Sequence, residues 1–134
     1  MKSPTLIQGG MGVAISDWRL AKAVSVLGQL GVVSGTGISR VFASRLTDGD
    51  LCGTVRRALS NFAIPGIVQT VIDRYYVPNG KKTAAPYKIP VPYSLRPPKF
   101  LDQVTAIANY VEVFLAKEGH SGIVGINLLE KIQM

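Results

Sequence analysis

The stretch LIQGGMGVAIS, residues 6–16, joins a short apolar run to three glycines and then to polar residues that commonly open a helix. An apolar run that ends in glycines before a helix start is typical of the strand-to-helix turn in a parallel βα unit. The same pattern returns in GVVSGTG, residues 31–37, and a third apolar run, GIVGIN, ends in Asn127. We therefore predict an α/β chain with three parallel strands, over 5–8, 31–34 and 122–127.

Segments with helical spacing of apolar residues lie between these predicted strands. Ser16 or Asp17 is a suitable cap for the first helix, Gly28 a suitable end for it, and Pro65 suits the first turn of a later helix. The predicted helices have these limits: 17–28, 48–62, 65–75 and 98–119.

Residues 76–98 interrupt this alternation because they contain six of the eight prolines. Proline removes a backbone donor and fixes φ, so a long regular element is not expected there. The segment also carries tyrosines and aliphatic residues that are able to pack. We predict an ordered insertion that lies over a surface of the protein. A lid and a contact in a homodimer are alternative roles for this insertion.

Composition and charge exclude several classes of protein. The net charge is +7, but the fifteen basic residues are scattered and adjoin only at Arg56-Arg57 and Lys81-Lys82, which does not favour a nucleic-acid partner. A single cysteine, Cys52, excludes an internal disulfide and a multi-cysteine metal site. No apolar run is long enough to cross a membrane. We expect a cytoplasmic protein with no metal and no membrane partner.

The order of elements sets the expected architecture. Three parallel strands do not close a barrel, and an eight-stranded βα barrel needs about 250 residues. We predict that residues 1–134 are the amino-terminal part of a single, incomplete (β/α)8 TIM-barrel-type domain with an insertion at about 76–98. A dinucleotide-binding fold is disfavoured, since G-x-G-x-x-G from Gly10 meets Ile15 at its last glycine, and no acidic residue follows the second strand.

Candidate site residues follow the predicted strands, because ligands of parallel βα folds collect at the carboxyl ends of strands. Glycine at such an end lets a flat ligand approach the backbone, so a planar cofactor is expected. The residues that follow the three strands are Gly9, Gly10, Met11 and Gly12, then Ser34, Gly35, Thr36 and Gly37, and then Asn127, Glu130 and Lys131.

Three motifs carry a resemblance to a known family. IQGGMGVAIS, GQLGVVSGT and GIVGINLLEKIQM occur in an order and with glycines that resemble the opening third of the nitronate monooxygenases, also called nitropropane dioxygenases. These are FMN-dependent βα barrels that oxidise alkyl nitronates with O2. The same turns are similar to those of flavin-dependent enoyl-(acyl carrier protein) reductases.

The resemblance implies a cofactor and residues that bind it. It places Gly10, Met11 and Gly12 against the flavin ring of FMN and gives Asn127 a hydrogen bond to it. Ser34, Gly35 and Thr36 would line the floor of the same site. It also places the catalytic histidine and the phosphate loops of the family after later strands. The 134 residues alone are thus expected to be inactive.

Several alternatives are open at this point. The substrate is a small molecule, either a nitronate or an enoyl thioester. The alternative to an enzyme is that the chain is a non-catalytic fragment or an interaction domain. His120 precedes the third strand, so we expect it at the amino-terminal mouth of the barrel in a structural role.

Overall fold

The computed structural model describes residues 3–128. It is a mixed α/β structure with five helices and a two-stranded parallel sheet among these residues. Two compact units are present, which we call the sheet unit (residues 3–38 and 109–128) and the helical unit (residues 39–108). The elements in chain order are α1 (Trp18–Val26), β1 (Gly31–Ser34), α2 (Ile38–Thr47), α3 (Thr54–Leu59), α4 (Pro65–Tyr75), α5 (Lys99–Lys117) and β2 (Val124–Asn127).

The sheet pairs β1 with β2 in parallel, so that Gly31 lies opposite Val124 and Ser34 lies opposite Asn127. Both strands were predicted within a few residues of their observed limits. This register brings the carboxyl ends of the two strands to the same edge of the sheet.

The strand predicted over residues 5–8 is reduced to a single parallel bridge between Ile7 and Leu30. The amide of Leu30 donates to the carbonyl of Leu6 at 3.1 Å, and the amide of Gln8 donates to the carbonyl of Leu30 at 3.0 Å. The pairing stops there because the chain turns at Gly10, whose φ is +57°. The strand predicted over residues 5–8 is therefore present only as this bridge, and its predicted length was wrong.

Helix α1 lies close to the sheet because two glycines face it. A Cβ at Gly31 would collide with the backbone carbonyl of Ala21, and a Cβ at Gly122 would collide with that of Ser25. The hydroxyl of Ser25 donates to the carbonyl of Ile123 at 2.7 Å. One turn of α1 is thus fitted to two adjacent chain segments of the sheet.

The helical unit differs from the prediction over residues 38–62. Helix α2 occupies Ile38–Thr47, where no element was predicted, and α3 covers Thr54–Leu59 in place of 48–62. Positive φ angles at Gly49, Asp50 and Gly53 break the chain between the two helices. Helix α2 had a usable signal, since Ile38, Phe42 and Leu46 recur every four residues and all are buried.

Helices α4 and α5 confirm their predictions within the helical unit. Pro65 opens α4, and α5 begins one residue after Pro98. Their apolar stripes supply core residues, among them Val71, Leu101, Val104 and Ile107.

The proline-rich segment 76–98 contains no helix or strand, and backbone contacts hold it against the end of α2. The amide of Val77 donates to Leu46 at 3.2 Å, and that of Lys81 donates to Thr47 at 2.9 Å. A Cβ at Gly80 would stand 2.7 Å from the carbonyl oxygen of Asp48. The segment is thus joined to the end of α2 by backbone contacts, and its being an insertion stays a prediction.

Within residues 3–128, none of the helices combines the length and the apolar character needed to cross a lipid bilayer.

Candidate functional site

The candidate site lies where β1 and β2 end. The amide of Gly35 donates to the carbonyl of Asn127 at 2.7 Å, which extends the pairing one step past the strands. The loop after Gln8 closes on the same edge, because Ser34 donates from its amide to Ser16 at 2.8 Å and from its hydroxyl to the Met11 carbonyl at 3.3 Å. Three chain segments therefore meet at one edge of the sheet.

The side-chain amide of Asn127 is the centre of this meeting point. Its Nδ2 lies 3.5 Å from the carbonyl oxygen of Gly10 and 3.0 Å from the sulfur of Met11. Asn127 is half-buried, whereas Met11 is 63% exposed. Residues that are more than one hundred positions apart in the chain, and that the sequence assigned to one site, are thus in contact.

Gln8 is a member of the site that sequence reasoning missed. Its Oε1 accepts from the amide of Val32 at 3.2 Å, and its Nε2 donates to the hydroxyl of Ser16 at 3.2 Å. The side chain takes the place of the backbone pairing that the turn interrupts. The signal was a polar residue at the end of an apolar run.

The glycines of the site have a packing requirement of their own. A Cβ at Gly10 would stand 2.9 Å from the Cβ of Val32, and a Cβ at Gly35 would stand 2.7 Å from the carbonyl oxygen of Asn127. We interpreted these glycines as openings for a ligand. At both positions, however, the close neighbour belongs to the protein. Gly9, with the Cγ of Met11 at 4.0 Å, and Gly37, with no neighbour within 4 Å, face open space.

The two remaining candidates contribute turns. The carbonyl of Gly12 accepts from the amides of Ile15 and Ser16 at 3.1 and 2.9 Å, which closes the loop before α1. Thr36 is half-buried in the turn that leads to α2. Neither residue hydrogen-bonds Asn127 within residues 3–128, so their place in the site rests on chain position alone.

Two carboxylates occupy the amino terminus of α1. Oδ1 of Asp17 accepts from the amides of Arg19 and Leu20 at 2.9 and 3.3 Å. Oε2 of Glu112, which is 3% exposed, accepts from the amide of Trp18 at 2.8 Å. A helix start is a favourable place for an anion, and here the protein's own carboxylates take it. Through this contact Glu112, a residue distant in sequence, holds the point where the loop after Gln8 enters α1.

Exposed apolar side chains lie in the chain segments that form the meeting point. Ile15 and Leu128 are 75% and 69% exposed, and Val13 is also exposed. Single exposed apolar residues are ordinary, but a group of them beside a polar network is typical of a binding surface.

His120 joins α5 to β2. The amide of Gly122 donates to Nδ1 at 3.1 Å, so Nε2 carries the hydrogen that is donated to the carbonyl of Ala116. Both ring nitrogens are used within the turn, which agrees with the structural role expected for this residue. Glu130 and Lys131 lie outside the described residues. Among residues 3–128, no group of His, Cys, Asp and Glu is arranged to hold a metal ion.

The chain matches no protein-family model, no curated protein and no solved structure.

Proposed function

We propose that the candidate site holds the ring system of FMN in an oxidoreductase of the nitronate monooxygenase type. The observation that carries this proposal is the contact of Asn127 with Gly10 and Met11, beside Ser34 and Gly35, at the carboxyl edge of a parallel sheet. Parallel βα folds bind cofactors at this edge. The family resemblance assigns the same residues to a flavin.

The donors and acceptors of the site fit a flavin ring. The pyrimidine part of the ring needs both hydrogen-bond donors and acceptors, and the site offers the Asn127 amide, the Ser34 hydroxyl and the backbone around Gly9. The exposed thioether of Met11 is a polarisable apolar surface, which suits contact with an aromatic face. These residues would bind and orient the ring and exclude water from one side of it.

The sheet unit offers fewer groups that could bind the phosphate of FMN than groups that could bind its ring. Asp17 and Glu112 fill the amino terminus of α1, and the guanidinium of Arg19 is paired with Asp17 at 2.8 Å. In barrels of this kind the phosphate commonly binds after later strands. We infer that residues 3–128 provide contacts to the ring and not to the phosphate, which leaves the affinity of the isolated chain for FMN low.

A complete (β/α)8 barrel is part of the proposal. Parallel sheets are normally covered on both faces, and within the described residues β2 has a strand neighbour on one side only. The exposed apolar residues of segment 6–15 are of the kind that further strands and helices would cover.

The bound flavin would supply the redox chemistry, taking electrons from a nitronate and passing them to O2. The alternative of the enoyl-reductase type uses a nicotinamide as the electron source and an enoyl thioester as the acceptor. The sheet unit serves both in the same way, because it holds the ring. The two candidate activities therefore differ in the electron donor, which is a nitronate in the first and a nicotinamide in the second.

A non-catalytic role is a second candidate, and one observation favours it. The Nδ2 of Asn127 already has two neighbours inside the chain, Gly10 and Met11, so this donor group is engaged without a ligand. Under this reading the polar edge stabilises the sheet, and the apolar residues around it contact another protein.

A natural gene product that contains this chain separates these candidates. Under the proposal it purifies with a flavin absorbance band and consumes alkyl nitronates with O2. NADH-dependent reduction of an enoyl thioester would instead support the reductase. A colourless protein that gains no absorbance with added FMN would contradict both. Asn127→Ala is expected to weaken flavin binding about tenfold, since a buried hydrogen bond contributes roughly 1 kcal/mol or more. Asn61→Ala in the helical unit is the matched control.

A further inference from the structure

The helical unit contains a cavity of about 230 Å3. None of the residues that line it is part of the proposed flavin site. Helix α4, the proline-rich segment and the start of α5 all contribute to it. Its lining residues are Arg74, Tyr75, Ile89, Pro90, Val91, Pro98, Phe100 and Leu101. Seven of these eight side chains are apolar or aromatic, and the eighth is a guanidinium.

Arg74 is held at this cavity by an aromatic ring. Its Cζ lies 5.0 Å from the centroid of Phe100, and the ring of Tyr75 is stacked on the same Phe100 at 6.3 Å. An arginine that lies over an aromatic face keeps its planar edge of N–H donors available for a second partner. The stack therefore positions the guanidinium, which also interacts with the Tyr75 hydroxyl and has further N–H donors for a ligand.

No carboxylate of the described residues neutralises Arg74. Asp73, its neighbour in sequence, accepts from Gln69 at 2.7 Å. Among residues 3–128, no ion pair joins Arg74 to an acidic side chain. The sequence has the same bias, because residues 74–101 contain six basic residues and no acidic one. The cavity thus has an apolar interior and an uncompensated positive charge.

The burial of Tyr75 is further evidence that the lining of this cavity is largely apolar. The residue is 3% exposed, and burial raises the pKa of its phenol, while the positive charge of Arg74 acts in the opposite direction. Tyr75 is thus a buried part of the lining, whereas Arg74 is exposed and accessible to a ligand. A hydrogen bond between a guanidinium and an ionised carboxylate is stronger than one between neutral groups.

We propose that this cavity binds a small monocarboxylate with a short apolar tail, whose carboxylate is held by Arg74. A guanidinium matches a carboxylate with two parallel hydrogen bonds, which favours this anion over a chloride-like point charge. The volume of the cavity equals that of about eight water-sized groups, at roughly 30 Å3 each. Hexanoate, with eight non-hydrogen atoms, is a ligand of the right size and charge.

The proposal also gives the proline-rich segment a role. Ile89, Pro90 and Val91 form one wall of the cavity, and the prolines keep this wall extended without regular structure. The site uses no residue of the sheet unit, so it is independent of the flavin proposal and is tested separately.

The test is a titration of the chain with hexanoate, 1-hexanol and acetate, followed by NMR of backbone amides. We expect hexanoate to bind at least tenfold more tightly than either of the others, with shifts confined to residues 74–75, 89–91 and 98–101. Hexanol lacks the charge and acetate lacks the tail, so the comparison needs no mutation. Equal affinity for hexanoate and 1-hexanol, or shifts located elsewhere, would overturn the proposal.

Three variants sharpen the result. Arg74→Gln is expected to remove the preference for hexanoate over 1-hexanol, whereas Arg96→Gln, which deletes a charge from the same basic stretch, leaves it unchanged. Ile89→Trp is expected to weaken both ligands by filling the cavity. If Arg96→Gln lowers hexanoate affinity as much as Arg74→Gln, the binding is a general effect of positive charge, and the assigned site is wrong.

Discussion

The two units of this chain are specified in different ways. The sheet unit depends on glycines that let backbone approach backbone, as at Gly31 and Gly122 beneath α1. The helical unit depends on apolar side chains such as Val71, Leu101 and Val104. Charge divides in the same manner: residues 39–108 carry ten basic and four acidic residues, and the rest of the chain carries five and four. Gly31, packed against the backbone of α1, is therefore a structural requirement, whereas Gly66 on α4 has open space around it and is replaceable.

The largest expected effect tests this difference directly. Gly31→Ala places a Cβ against the backbone carbonyl of Ala21, which has no flexible side chain to move aside. We expect a loss of at least about 3 kcal/mol in the free energy of unfolding, because overpacking against rigid backbone costs more than a typical core change. Urea denaturation followed by circular dichroism measures it.

The matched substitution in the helical unit is Gly66→Ala. Gly66 lies in α4 with open space where its Cβ would be, and its φ is not positive. We expect a gain of about 0.5–1 kcal/mol, since alanine favours a helix over glycine. A similar loss in both variants would contradict the distinction between the units.

The second expected effect concerns Asp50, whose carboxylate accepts from the first amides of α3. Its carboxylate accepts from the amides of Val55 and Arg56 at 3.0 and 2.9 Å, and from Nε of Arg56 at 3.2 Å. Asp50→Ala is expected to lower the free energy of unfolding by about 2–3 kcal/mol, because it removes a cap and leaves a buried amide unsatisfied. Thermal denaturation compares it with Asp73→Ala on the exposed face of α4. A loss no larger than that of the control would show that α3 does not need the cap.

The third expected effect is at Thr47, which joins α2 to the proline-rich segment. Its buried hydroxyl donates to the carbonyl of Ala43 at 2.9 Å and lies 3.3 Å from the carbonyls of Tyr75 and Lys88. Thr47→Val keeps the shape and removes the polar group. We expect a loss of about 1 kcal/mol and faster proteolysis within residues 76–98. Unchanged proteolysis would mean that this hydroxyl does not anchor the segment.

The smallest expected effect is a pH dependence in the helical unit. Burial raises the pKa of Tyr75 above its ordinary value of 10, so the folded chain holds this proton more tightly than the unfolded chain. The stabilisation is present below about pH 10 and is lost as pH rises further, because the unfolded state ionises first. Tyr75→Phe is expected to flatten this decline in urea denaturation at pH 9–11. An unaltered slope would remove Tyr75 as its cause.

Local sequence signals were sufficient for much of the fold. Asp17 as a cap, Pro65 at a helix start and the apolar run at 31–34 each predicted an element that the structure contains. Helix α2 was missed because Gly35 and Gly37 before it suggested a turn, and its polar residues masked the spacing of Ile38, Phe42 and Leu46. The barrel itself stays a prediction, since two paired strands define only the start of such a sheet.

The candidate site was predictable only where chain position decides it. The ends of parallel strands meet at one edge, so Gly10, Met11 and Asn127 were expected together and are found together. Gln8 and Glu112 were missed because their hydrogen bonds to Val32 and Trp18 depend on how distant segments pack. The reason for the glycines at 10 and 35 was also hidden, because their close neighbours are in other segments.

The central claim is that the carboxyl edge of the sheet unit is the ring part of a flavin site. Titration of the chain with riboflavin and with FMN, followed by NMR of backbone amides, tests it most directly. We predict shifts at residues 9–12, 34–36 and 127 for both flavins, with affinities that agree within about threefold, because the ring is held and the phosphate is not. Shifts elsewhere, no shifts at millimolar flavin, or tight stoichiometric binding of FMN alone would contradict this account.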